Sequence, residues 1–169
     1  NSRLVADEMS KTLGQKVIIE NKSGAGGLLG TEFVSRANPD GYTLIYATLG
    51  TMAAAPSLQK KLGYDPLKDF RSIHMMADTP NVLVVSPELP ARSLKELVAY
   101  VKANPGKVNY GTSGNGSTPH LSAVLLESMA GIQMTHVPYK GGSQTNIGLQ
   151  NAEVQEAFSP IVELLPLIK

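Results

Sequence analysis

Three glycine-rich loops, at 24–27, 111–116 and 141–142, each follow a strand-like run and precede a helical one. Strand, glycine turn, helix and strand in succession is the pattern of βαβ units built on a mostly parallel sheet. The repetition excludes an all-helical or all-β chain and sets the fold class as α/β.

The elements follow from local signals. A helix over Ser2–Leu13 closes at Gly14, and residues 17–20 (VIIE) read as a strand entering the first glycine loop. A second helix over 28–37 stops at the turn Asn38-Pro39-Asp40-Gly41, after which 42–46 (YTLIY) reads as a strand. Residues 48–70 lose periodicity and read as a long loop with short helical turns. The run 70–77 then leads through Thr79-Pro80-Asn81 into an apolar strand at 82–85, where a domain crossover is expected. This divides the chain into two lobes, 1–79 and 80–169.

In the second lobe Ser93 and Glu96 form a capping box, opening a helix with Leu94, Leu97, Val98 and Val101 on one face. A strand at 108–110 leads into the second glycine loop. Ser117, Thr118 and Pro119 start the next helix, with an expected inner face of Leu121, Val124, Leu125, Ser128 and Met129 and a stop at Gly131. A strand at 134–137, the third loop, a helix from about Ser143 and a strand at 154–158 follow. Residues 163–169 read as helical.

The loops are the candidate site. Backbone N–H groups at a helix start lack intrahelical acceptors and lie at the positive end of the helix dipole, so a carboxylate or phosphate is stabilised there. In open α/β sheets ligands settle outside the carboxyl ends of the strands, where such loops lie. Glycine is also the usual residue for any tight turn, so one such loop would carry little weight. Three of them, two bearing Ser or Thr hydroxyls, point to one acidic ligand.

Other chemistries have little support. Basic and acidic residues number 15 and 14, a net charge of +1, which gives no reason to expect nucleic acid or anionic lipid as a partner. Cysteine is absent, so there is no thiolate metal site or cysteine nucleophile. No apolar run approaches the ~20 residues of a membrane-spanning helix, so no direct membrane insertion is expected. His74, His120 and His136 are dispersed, and HExxH, GxSxG and CxxC do not occur, so no catalytic residue, metal ligand or cofactor is assigned. His120 reads as a surface or packing residue and His136 as buried and hydrogen-bonded. Tyr139 either walls a pocket or covers a loop, and the pairs Asp65/Asp69 and Glu153/Glu156 read as solvated charges. The rival reading is a nucleotide-dependent α/β enzyme using residues 24–30. It is weakened because only Asp40, inside a turn, stands near the position of the acidic ribose partner.

Five segments carry a resemblance: VIIENKSGAGG at 17–27, NPDGYTL at 38–44, YDPLKDF at 64–70, ANPGKVNYGTSGNGSTPHL at 103–121 and HVPYKGG at 136–142. Together and in this order they are similar to the Bug or TctC solute receptors of tripartite tricarboxylate transporters. The resemblance implies a periplasmic, type II binding-protein fold with two lobes of mostly parallel sheet flanked by helices, closing on a ligand like a Venus flytrap. It implies a non-enzymatic receptor that takes a small di- or tricarboxylate or aromatic acid and delivers it to the membrane components of the transporter. Carried over residue by residue, the ligand-binding positions are Ala25, Gly26, Gly27, Thr48, Ser113, Gly114, Asn115, Ser117, Tyr139, Gly141 and Gly142, with Ser159 after the last strand. The resemblance further implies that the first lobe, 1–79, is partial, its opening strand, targeting segment and C-terminal return lying outside this sequence, and that 80–169 form a nearly complete second lobe. Two departures stand out. Ser159 and Pro160 occupy the place where family members often carry an acidic residue that meets a ligand amine, which argues against an amino-acid ligand. Asn151-Ala152-Glu153 replaces the usual glycine turn.

Overall fold

A computed structural model describes residues 2–165. Helix α1 spans Ser2–Leu13, and a single 3₁₀ turn, Ala25–Gly27, leads into α2, Leu28–Ser35. A π-helical turn at Gly50–Ala54 runs into α3, Ala55–Leu58. The regular part follows: β1 Asn81–Val85, α4 Leu94–Ala103, β2 Asn109–Thr112, α5 Thr118–Ala130, β3 Thr135–Pro138, α6 Gly142–Gln150, β4 Glu156–Pro160 and α7 Ile161–Leu164. Of the expected terminal helix, residues 166–169 lie outside the described residues.

The sheet has the order β1-β4-β2-β3. β2 pairs in parallel with both β3 and β4, and β1 closes the edge antiparallel to β4, with Leu83 opposite Phe158. The fold is therefore α/β with a parallel-dominated sheet. The main core cluster comes from this part: Leu89, Leu97, Val101, Val108, Tyr110, Ala123, Ile132 and Met134 are buried, with Leu83, Val85, Leu126 and Phe158 packed on them.

The first 80 residues contribute little to this core, and two expected strands there do not form. Residues 17–20 and 42–46 join no ladder among the described residues. A strand exists only through a neighbour that accepts its hydrogen bonds, and β-favouring side chains cannot supply one. Ile18 and Tyr42 are accordingly 80% and 92% exposed.

Capping was the more reliable guide in the second half. The Ser93 hydroxyl accepts the Glu96 N–H at 3.3 Å, and Ser117 caps α5 by accepting the His120 N–H at 3.5 Å. The faces of the helices were less well read. Leu94 is exposed, and α5 turns Pro119 and Ala123 inward rather than the expected apolar row, leaving Val124, Leu125 and Met129 largely in solvent. Ala123 lies in the core cluster with Tyr110, on which the rings of His136 and then His120 stack.

Helix α6 ends with Ala152 at φ +57°, in the left-handed region, while the Glu153 N–H returns to the Gly148 carbonyl at 2.9 Å. This is a helix-closing turn that ordinarily takes glycine. A Cβ in that conformation costs about 1–2 kcal/mol, against roughly 0.4–1 kcal/mol of extra unfolded-chain entropy for glycine. Ala152→Gly is therefore expected to gain about 0.5–1 kcal/mol and raise the melting temperature by about 2–4 °C. An unchanged or lower midpoint in calorimetry would show that the turn is not strained.

Candidate functional site

The parallel strands β2, β3 and β4 all end on one edge of the sheet, at Thr112, Pro138 and Pro160. The second and third glycine loops leave from that edge, and the first loop is packed against them. An ideal Cβ built on Gly114 would lie 2.9 Å from the Gly26 nitrogen and 3.6 Å from the Tyr139 carbonyl oxygen. Segments more than 80 residues apart thus meet at Gly114.

The closeness of that meeting alters the expected role of Gly26. At φ +65°, a Cβ there would come 2.7 Å from the Asn115 carbonyl oxygen. Glycine is required there because two backbones touch. Gly50 repeats the device, its built Cβ falling 2.7 Å from the Gly116 carbonyl oxygen. Two surface depressions lie elsewhere, one along α1 lined by Leu4, Val5 and Met9, the other on α2 lined by Leu29, Phe33 and Arg36.

The candidate residues divide into those that present donors and those that hold the loops. Ala25, Gly26, Ser113, Asn115 and Gly141 have N–H groups that donate to no acceptor among the described residues. Ala25 and Asn115 are exposed, Gly26, Ser113 and Gly141 half-buried. Gly27 is already engaged, its N–H bonded to the Gly24 carbonyl at 3.0 Å. Thr48 exchanges hydrogen bonds with Thr51 at the start of the π-helical turn. Buried Gly114 donates to Thr112 Oγ1 at 3.2 Å, and the Ser117 hydroxyl donates to the Gly114 carbonyl at 2.7 Å.

Tyr139 covers a loop: its ring lies over Gly111 and its hydroxyl donates to Glu153 at 3.0 Å. Gly142 opens α6, yet a side chain there would run into the Glu163 carboxylate, so the third loop faces an acidic group of α7. Ser159 does not follow the last strand, as expected, but lies inside it, opposite Val82 and 2% exposed. The strand runs two residues further because β1 supplies partners as far as Pro160.

The rival dinucleotide reading finds no geometry. It needs a strand in the sheet before the glycines and room for a pyrophosphate at the turn. Residues 17–20 are outside the sheet, and the turn is filled by the Asn115 backbone.

Beneath the loops lies a polar cluster that the sequence reading did not assemble. His120 and His136 stack with ring centres 4.3 Å apart, and Tyr110 stacks on His136 at 4.9 Å. The Gly116 N–H donates to His120 Nδ1 at 3.1 Å, and His136 Nε2 lies 2.7 Å from Thr112 Oγ1, the same oxygen that accepts from Gly114. Burial holds both histidines below the usual range, His136 at about 4, where His120 beside it adds to the effect. Burial, with Glu127 and Glu156 nearby, raises Tyr110 to about 12.

Glu156 overturns the expectation of a solvated charge. It is 0% exposed, and neither carboxylate oxygen has a hydrogen-bond partner among the described residues. Burial, reinforced by the Glu127 charge, pushes it up to about 8. The missed signal was its place inside a central strand: strands covered on both faces enclose whatever side chain they carry. His136 is hydrogen-bonded to Thr112 as expected, His120 goes beyond a surface or packing role by accepting the Gly116 N–H, and half-buried Asp65 lies 3.2 Å from Lys68.

Comparison with known proteins fits this geometry. A family described as the tripartite tricarboxylate transporter family receptor matches residues 2–169. A curated relative from Cupriavidus necator, a UPF0065 protein in the gbd 5' region, is 39% identical over 166 residues, covering 95% of this chain and 50% of the relative. Rpa4515 of Rhodopseudomonas palustris, solved with adipate, superimposes with a TM-score of 0.95 at 36% identity, over 98% of this chain and 56% of that one. MatC from Rhodopseudomonas palustris, with bound malate, gives 0.92 at 37% identity with the same coverage. The periplasmic binding protein BugD gives 0.91 at 34% identity, again with the same coverage. This chain spans about half the length of the relatives it matches. Among the described residues no helix is long and apolar enough to cross a membrane. With the family matched along residues 2–169 and these solved receptors sharing its fold, the chain belongs to the TctC family of tripartite tricarboxylate transporter receptors.

Proposed function

We propose that this chain forms part of a periplasmic receptor that captures a small dicarboxylate at the loop edge of the sheet and hands it to the membrane components of a tripartite transporter. The observation that carries the reading is the pairing of two facts. Relatives of nearly the same backbone hold adipate and malate, and here unengaged N–H groups of Ala25, Gly26, Ser113, Asn115 and Gly141 are gathered at one edge. Backbone donors of this kind suit a carboxylate without a compensating cation. Ser113 and Asn115 would contact the ligand, while Gly27, Thr48, Gly114, Ser117, Tyr139 and Gly142 shape the loops that present the donors. Ser159, buried in β4, would act from beneath them. No step of bond making or breaking is assigned.

Calorimetry and thermal unfolding of the intact gene product against adipate, malate, citrate and benzoate test the proposal. At least one dicarboxylate should bind with saturation and, at a concentration a hundred times its Kd, stabilise the protein by about 2.7 kcal/mol. The matching diamides should have no effect. Absence of binding to all four acids would overturn the carboxylate reading.

A further inference from the structure

The two stacked histidines lie outside the set of loop donors, yet both touch the loop that presents two of them. Ser113 and Asn115 alternate with Gly114 and Gly116, whose own N–H groups are tied inward, to Thr112 Oγ1 and to His120 Nδ1. Tying down every second amide leaves the intervening ones without acceptors in the protein. We propose that His120 is a positioning residue for carboxylate capture, its unprotonated Nδ1 fixing Gly116 so that the Ser113 and Asn115 N–H groups stay available to the ligand.

The chemistry of the ring makes this conditional on protonation. An imidazole nitrogen accepts a hydrogen bond only when it carries no proton, so His120 must be neutral with its proton on Nε2. A protonated ring would turn a second N–H toward the Gly116 donor, and the bond would be lost. Burial of the ring favours its neutral form. Tyr110 on β2 and His136 on β3 stack in the same column, at 6.5 Å and 4.3 Å from His120, and a second cation at His136 would oppose charge on His120. Glu127 on α5 acts the other way and favours the proton. Glu156 on β4 is buried nearby and held protonated by the same enclosure, and β1 carries no titratable side chain. Acid therefore acts on the loop through His120, and the receptor should lose its grip on the ligand when that ring is charged.

The inference rests on the carboxylate reading for its functional consequence but not for its structural part, and the two are separable by experiment. Three forms of the intact gene product are compared: wild type, His120→Phe, which keeps a stacked ring without an acceptor, and His120→Asn, whose Oδ1 can replace Nδ1. Adipate and malate affinities are measured by calorimetry at pH 7.5 and at successively lower pH until the His120 ring is protonated. Amide hydrogen exchange at Gly116 and long-range ¹⁵N–¹H spectra of the histidines are recorded without ligand. In the wild type at pH 7.5, His120 should show the Nε2–H tautomer and Gly116 a protected amide. His120→Phe should weaken binding roughly 3- to 10-fold, the worth of one hydrogen bond, and expose Gly116 to exchange, while His120→Asn should remain within about two-fold of wild type and keep Gly116 protected. As pH falls from 7.5 through the range in which the histidine spectra show the His120 ring taking up its proton, the wild type should lose more affinity than His120→Asn, which cancels the titration of the ligand itself. Unchanged affinity in His120→Phe, equal pH dependence in wild type and His120→Asn, or an Nδ1–H tautomer would overturn the proposal. Should wild type bind none of adipate, malate, citrate and benzoate, the carboxylate reading falls, and equal Gly116 exchange in His120→Phe and wild type would then overturn the positioning role as well.

Discussion

Replacing Glu156 by glutamine is expected to raise stability near neutral pH and to abolish most of its decline toward alkaline pH. In the unfolded chain this carboxyl titrates near 4.5, whereas in the fold it keeps its proton to about pH 8. Between those values the folded state holds a proton that the unfolded state has released, so every step upward in pH favours unfolding. At about 1.4 kcal/mol for each unit the full window is worth on the order of 5 kcal/mol. Glutamine has the same shape without the charge. It should match wild type in urea denaturation near pH 4.5 and exceed it by on the order of 3 kcal/mol at pH 7.5.

The histidines act with the opposite sign and make the test specific. Their folded values lie below the ordinary one, so their contribution is complete above about pH 6.5 and is lost as pH falls toward 4. Wild type should therefore be most stable in mildly acidic solution, while Glu156→Gln should rise to a plateau above about pH 6.5. The same gain for Glu156→Gln at pH 4.5 and 7.5 would mean that the buried carboxyl ionises as freely in the fold as outside it.

Glu156 also shows what the sequence carried and what it hid. Element starts and stops in the second half were legible because capping is local chemistry: Ser93, Ser117 and Gly131 act on amides or turns within four residues. Gly24–Gly27 and the later loops were recognisable as helix entries for the same reason. Whatever needed a partner far along the chain was not legible. Residues 17–20 have strand-like composition, but a ladder requires a second segment. The inward face of α5 was misread because apolar periodicity assumes an apolar neighbour, while this helix packs His120 and Ala123 against Tyr110 and His136. Glu156 was read from its residue type when its position between β1 and β2, one on each side, decided its fate. The loop edge itself was expected. The backbone contact that fills part of it, between Gly26 and Asn115, joins residues 89 positions apart, and no local pattern encodes it.

That contact yields the second large effect, a loss of both stability and binding in Gly26→Ala. Two costs combine at this position. Left-handed backbone at φ +65° penalises any Cβ by about 1–2 kcal/mol, offset by roughly 0.4–1 kcal/mol from the stiffer unfolded chain. The methyl would then lie 2.7 Å from the Asn115 carbonyl oxygen. Because that atom is backbone, relief requires one loop to move from the other, and such overpacking costs about 1–3 kcal/mol. Gly14 separates the two costs, since it has φ +63° and nothing within 4 Å of a built Cβ. Gly14→Ala should lose about 1 kcal/mol and leave dicarboxylate affinity intact, whereas Gly26→Ala should lose about 2–4 kcal/mol and weaken binding at least tenfold. Paired denaturation and calorimetry on the intact gene product decide the matter. Equal losses in the two variants would mean that the Gly26–Asn115 contact contributes nothing, and that the first loop reaches the ligand edge without leaning on the second.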